Sequence, residues 1–159
     1  MRFIGEWWFP SGERHIPAWM GKPKNYFPLN GRQSYQGDKQ AKSVRLCKKK
    51  GLALDVGGHV GLWSYNLSHS FDKVIAFEPV ADHRDCFARN LAGRDNVKLM
   101  GVALGKEPGA VSIFSPASVK PYSRLTDNSN AMSSGPPDAP RHRLVAADLF
   151  EGVAGVISV

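Results

Sequence analysis

The sequence predicts an α/β protein built on a doubly wound parallel sheet, and three observations carry that expectation. An apolar run, Leu52-Ala53-Leu54-Asp55-Val56, ends on a carboxylate and passes into a glycine turn, Gly57-Gly58-His59-Val60-Gly61, that opens a helix. A second apolar run, Val74-Ile75-Ala76-Phe77, ends on another acid, Glu78. From residue 52 onward the chain alternates strand, helix, strand, helix, strand in units so short that they force parallel pairing and right-handed crossovers.

Residues 1–36 are rich in aromatics, Gly and Pro (Trp7, Trp8, Phe9, Pro10, Trp19, Tyr26, Phe27, Pro28) and lack a clear period. They are expected to form a short strand or two and an irregular arm packed on a domain that spans 37–159. Next, Ala41, Val44 and Cys47 fall at helical spacing among Lys39, Lys42, Arg45, Lys48, Lys49 and Lys50, so an amphipathic helix with a wet basic face is predicted, stopped by Gly51. A strand over 52–56 leads to a helix over 61–69. A strand over 73–77 leads to a helix over 82–92, with Asp82 as its cap and Asp85 near its positive end, and a strand over 97–101 follows. The expected core is Leu52, Leu54, Val56, Leu62, Trp63, Leu67, Val74, Ala76, Phe87, Leu91, Val97, Leu99 and Val102. Beyond Gly105, Val111-Ser112-Ile113-Phe114 alternates like an edge strand, and 115–140 are dominated by Ser, Pro, Asn, Asp and Gly. Arg143 to Leu149 reads as a strand and turn ahead of a fourth sheet strand, Val156 to Val159.

The bulk numbers set limits. A chain of 159 residues normally makes one domain, and 42% hydrophobic with 10% aromatic content describes a globular protein. No apolar run is long enough to span a bilayer, and the start shows no signal-peptide pattern, so a cytoplasmic protein is expected. The two cysteines, Cys47 and Cys86, are read as reduced, buried thiols within helices. The net charge of +7 invites a nucleic-acid reading, weighed against a solvated helix face. His15, His69, His83 and His142 show no metal-ligand spacing, and no metal is expected.

The chemistry centres on Asp55 and Glu78. Two acids at the carboxyl ends of adjacent parallel strands, with a glycine turn between them, form the crevice in which such sheets hold a nucleoside. A dinucleotide site wants Gly-x-Gly-x-x-Gly so that backbone can approach a pyrophosphate. Here His59 stands where the second glycine would fall, and Asp55 adds negative charge beside it. A diphosphate is disfavoured; a ligand carrying an ammonium and a sulfonium, with a single carboxylate, suits better, and S-adenosylmethionine is such a ligand. Glu78 can accept both vicinal hydroxyls of a ribose, because a carboxylate presents two oxygens. For Asp55 the competing role is a helix N-cap or turn-former, given less weight because Asp55 follows a strand.

Leu54 to Ser64, Val74 to Pro79, Asn90-Leu91 and Asn96 to Gly105 together resemble the FkbM family of S-adenosylmethionine-dependent methyltransferases. The form with His59 before Val-Gly-Leu-Trp-Ser is similar to phage and bacterial members, and the resemblance runs from about Tyr35 to the last residue. It implies a Rossmann-like class I methyltransferase fold. Asp55 with the backbone of Gly57, Gly58 and Gly61 would hold the methionine end, and Glu78 the ribose. His59 would shape the turn or touch the cofactor. The chain ahead of the first motif often covers the cofactor in this family, so Tyr35 and Gln36 could line the site, with ordinary packing the favoured alternative because aromatics mostly serve burial. Ser133 and Ser134 fall where family members carry a serine-rich segment near the substrate. More strands follow the fourth one in the family, so the chain is expected to be the N-terminal part of a methyltransferase that transfers to an oxygen nucleophile.

On this reading the acceptor is a small molecule or glycan, with nucleic acid left open by the basic charge. Two other classes are weighed: a nicotinamide-dependent oxidoreductase on the same sheet, and a basic nucleic-acid-binding module without catalysis. No residue stands out as a catalytic base.

Overall fold

The structure, a computed structural model, describes residues 1–112, 141–146 and 156–158. The chain opens on an antiparallel hairpin, β1 (Arg2–Ile4) and β2 (Trp7–Phe9). Helix α1 (His15–Met20) and a single 3-10 turn, Pro23–Asn25, lead to a second hairpin, β3 (Pro28–Leu29) and β4 (Arg32–Gln33). The first 36 residues are thus more regular than an irregular arm. Helix α2 (Gly37–Leu46) then precedes the alternating core: β5 (Leu52–Val56), α3 (Leu62–Ser68), β6 (Lys73–Phe77), α4 (Ala81–Asn90) and β7 (Val97–Met100). Strands β8 (Ala103–Gly105), β9 (Gly109–Ser112), β10 (Arg141–Ala146) and β11 (Val156–Ser158) complete the described elements.

The expected parallel sheet is present, with strand order β11-β5-β6-β7 and every pairing parallel. Register sets Asp55 opposite Ala76 and Val56 opposite Phe77. The predicted fourth strand lies beside the first, as β11 against β5. A smaller sheet of order β8-β10-β9 is parallel between β8 and β10 and antiparallel between β10 and β9. The anticipated edge strand is β9, beginning at Gly109 instead of Val111, while the strand expected from Arg143 begins at Arg141 as β10. Ile113, Phe114 and residues 147–149 lie outside the described residues, as do Ser133 and Ser134.

Two apolar groups cover one face of the parallel sheet. In the first, Val60, Leu62, Tyr65, Ala76, Phe87 and Leu91 close on Trp7, Phe9 and Met20 from the N-terminal segment. In the second, Ala53, Leu67, Phe71 and Val74 pack with Val44 and Cys47. The N-terminal residues are therefore core, which the sequence-based expectation omitted, whereas Leu52, Val56, Val97, Leu99 and Val102 are only half-buried. Asn90 bolts β2 onto α4: its Oδ1 accepts from Trp8 N at 2.7 Å, and its Nδ2 donates to Trp8 O at 3.0 Å and Val60 O at 2.8 Å. Cys86 is fully buried and Cys47 half-buried, both as free thiols.

Two helix ends differ from expectation. Helix α2 stops at Leu46, not at Gly51, because Cys47 turns to extended backbone (φ −72°, ψ 116°). Cys47 packs inward there, and the Lys50 ammonium donates to the carbonyl of Val44, satisfying the frayed end with a cation where the helix dipole favours one. Leu46 is left 69% exposed. Helix α4 takes Val80, not Asp82, as its N-cap, without a side-chain capping bond. Asp82 stays within the first turn, where its charge still opposes the positive helix end. Among the described residues no helix is long and apolar enough to cross a membrane.

Candidate functional site

The turn after β5 reverses within five residues, and three of them take left-handed backbone: Gly57 at φ 84°, His59 at 46° and Gly61 at 89°. Glycine is favoured at 61 for a second reason: a Cβ there would displace Leu91 Cδ1 and meet Phe87 Cδ2 at 3.0 Å. Gly58 lets the turn settle on the sheet, with Ala76 Cβ and Phe87 Cε2 both 3.3 Å from where its Cβ would be. Four of the turn's five backbone donors are engaged inside the protein, His59 N with Glu78 among them. Gly57 N and Gly58 N both donate to Phe77 O at 3.0 Å, and Gly61 N donates to Gly58 O at 2.7 Å. The three glycine amides are thus withdrawn from an anion, while carbonyl oxygen, with two lone pairs each, is an acceptor for cations and hydroxyls.

Asp55 lies beneath the turn with 0% exposure. Ser64 Oγ donates to its Oδ2 at 2.5 Å, and the Ser64 amide adds to the effect, so Asp55 ties β5 to the first turn of α3. The N-cap of α3 is Gly61, not Asp55, so the helix-capping role that the sequence placed second is not the one Asp55 takes. The other oxygen, Oδ1, makes no hydrogen bond among the described residues. Burial, against the help of Ser64 and with a smaller push from Glu78, raises the carboxyl to about 6.

Glu78 stands at the end of β6 with 5% exposure and clamps two turns together. Its Oε2 accepts from His59 N at 2.9 Å and its Oε1 from Val80 N at 2.8 Å. Burial works against its charge, but His83, the Val80 amide and His59 outweigh it and hold the carboxyl below the ordinary range. The bond from His59 N also explains how a non-glycine residue is held in left-handed backbone. The His59 ring rests 4.1 Å, centroid to centroid, from that of His83. Glu13 Oε2 lies 3.8 Å from His59 Nε2, and Glu78 Oε1 lies 3.4 Å from His83 Nδ1. Burial first, then His83, lowers His59 to about 4, so it is neutral at pH 7.

Asp55, Gly57, Gly58, His59, Gly61 and Glu78 therefore form one constellation. Gln36 begins α2 in left-handed backbone (φ 54°), its Nε2 donates to Tyr35 Oη at 3.3 Å, and it lines a cleft of about 450 Å³ with none of those six residues on its wall. Tyr35 packs edge-on against Trp19, 4.9 Å between centroids. Sequence reasoning missed Ser64 and Glu13. A hydroxyl nine residues past the strand-end acid was the available signal for Ser64; Glu13 offered none, because only the folded N-terminal segment brings it near. Among the described residues no cluster of His, Cys, Asp and Glu could hold a metal ion.

No family profile matches the chain, and no curated protein does. Among solved structures, an rRNA methylase from Streptococcus thermophilus is 16% identical over 42% of this chain and 41% of its own, with a TM-score of 0.39. Trm5b from Pyrococcus abyssi is 13% identical over 50% and 29%, with a TM-score of 0.40. A DhpI–SAH complex is 28% identical over 40% and 32%, with a TM-score of 0.32. The chain spans less than half the length of each of these three, and overlaps this partial bear on neither activity nor ligand.

Proposed function

We propose that the crevice at the carboxyl ends of β5 and β6 binds S-adenosylmethionine, and that the chain is a methyltransferase of the FkbM type acting on an oxygen nucleophile. The observation that carries the cofactor reading is Asp55: a fully buried carboxyl with one oxygen unpartnered among the described residues and a titration near 6. At pH 7 it is mostly ionised with no cation beside it among the described residues, and an ammonium would supply one. The carbonyls of the turn are acceptors of the same kind. Glu78 is ionised; Oε2 has taken one backbone donor and Oε1 one, with His83 Nδ1 3.4 Å from Oε1, and the remaining lone pairs suit a pair of ribose hydroxyls.

When bound, the cofactor supplies a methyl group already activated on a sulfonium. The chain's part is to hold and orient it: Asp55 and the turn at the amino-acid end, Glu78 at the sugar end, the packed turn excluding water. His59, neutral and weakly basic with its pKa near 4, suits shaping of the turn rather than removal of a proton from the acceptor. A dinucleotide is disfavoured on separate grounds, since the amides of Gly57, Gly58 and Gly61 are all engaged within the protein.

Isothermal titration of the folded chain with S-adenosylmethionine and S-adenosylhomocysteine tests the reading. Binding of both, lost in Asp55→Asn and weakened at least about 10-fold in Glu78→Gln, is expected from the loss of one charged partner. A folded sample that binds neither, or that prefers NADH, overturns it.

A further inference from the structure

We propose that the cleft between the 3-10 turn and the start of α2 binds a nucleotide of single-stranded nucleic acid, a site separate from the cofactor crevice and independent of its occupant. Three aromatics, Trp19, Tyr26 and Phe27, line this cleft of about 450 Å³, together with Lys24 and Lys39. Two of the aromatics are displayed to solvent, Tyr26 at 64% exposure and Phe27 at 37%, although burial is the usual fate of such rings. The platform is held in place. Asn25 Nδ2 donates to Trp19 O at 2.7 Å, Ser34 N donates to Phe27 O at 3.0 Å, and the Phe27 ring fills the space that a Cβ on Gly37 would take.

The charge around these rings selects the ligand. Lys24 and Lys39 lie on the wall; Lys22 is exposed on the same turn and Lys42 one turn along α2 on the side of Lys39, with Asp38 the one acid on the wall among the described residues. Aromatic side chains exposed among ammonium groups call for a planar partner that carries negative charge. A nucleobase joined to a phosphate meets both requirements, and stacking serves any base, so a run of nucleotides is accepted without a sequence code. The basic side chains continue along α2 beyond the cleft to Lys42 and Arg45, both exposed, which provides for flanking phosphates of a strand and not for a lone mononucleotide. A duplex hides its base faces and cannot use the rings.

The test is fluorescence anisotropy of a labelled oligothymidylate of roughly 12 nucleotides against the full chain, with no cofactor present. Expected are binding at low salt, affinity for the single strand about 10-fold or more above that for the matching duplex, and quenching of Trp19 emission. Tyr26→Ala is expected to weaken binding about 10-fold with an unchanged circular dichroism spectrum, since the side chain is mostly in solvent. Lys24→Gln with Lys39→Gln is expected to flatten the slope of log affinity against log salt by about 0.7 for each phosphate no longer neutralised. Absence of binding by the folded chain, equal affinity for duplex, or a Tyr26→Ala variant as tight as the parent each overturns the proposal. Because cofactor titration is scored separately, neither result depends on the other.

Discussion

Burial moves Asp55 and His59 in opposite senses, raising the acid and lowering the base. An acid raised from 3.8 to about 6 holds more protons folded than unfolded in that window, so its contribution to stability falls as pH rises through it. A histidine lowered from 6.5 to about 4 holds fewer, so its contribution rises with pH between 4 and 6.5. Each effect is on the order of 3 kcal/mol, and the two nearly cancel. Urea unfolding across pH 4 to 7 should therefore show a shallow profile for the parent. Asp55→Asn should leave a curve that climbs more steeply with pH, and His59→Asn, whose replacement tolerates left-handed backbone, one that descends relative to the parent. Glu78, held low, adds a climbing contribution to all three. Matching profiles for parent and variants would refute the assignment. Gly61→Ala should cost about 3 kcal/mol by the same unfolding measurement, through strained backbone and collision with Leu91 and Phe87.

At the scale of elements, β2 meets α4 through the packing of Trp7 and Phe9 on Phe87 and Leu91 and through the hydrogen bonds of one side chain, Asn90. Asn90 satisfies both backbone groups of Trp8 and one of Val60, so Asn90→Ala leaves three polar groups without their partner and should destabilise the chain by about 3 kcal/mol. Hydrogen exchange at the Trp8 amide should quicken by more than at the β5 amides; equal protection in parent and variant would show that the joint is held otherwise. Elements with a strong period were legible in advance: β5 and β6 were located to the residue, since a buried parallel strand is an apolar run bounded by a turn. Helix ends were not. Helix α2 is ended by Cys47 packing inward and by the Lys50 ammonium, and α4 is started where the Val80 amide donates to Glu78, none of which a local pattern encodes.

For the whole molecule, the N-terminal 36 residues and the α/β body share one core. Removing residues 1–36 would uncover Val60, Leu62, Tyr65 and Leu91 and take Trp7, Phe9 and Met20 from among them, so the shortened chain should lose cooperative thermal unfolding. A sharp transition in 37–159 would contradict this. Sequence placed the carboxylates and the turn together because strand-end positions follow from the βαβ unit itself. It could not connect Trp7, Glu13 or Arg32 to that body, since packing between distant segments leaves no period in either; Arg32 lies over the Tyr65 ring, 4.4 Å from its centroid.

The contrast between the two thiols gives this chain a built-in clock. Cys86 is sealed in the cluster where the N-terminal strands meet α4, and its proton is held more tightly through burial and the nearby charges of Asp85 and Asp82, while Cys47 is half open to solvent. A maleimide reagent should consume Cys47 promptly and reach Cys86 only when the hairpin lifts, so the slow phase of labelling reads out how often the molecule breathes.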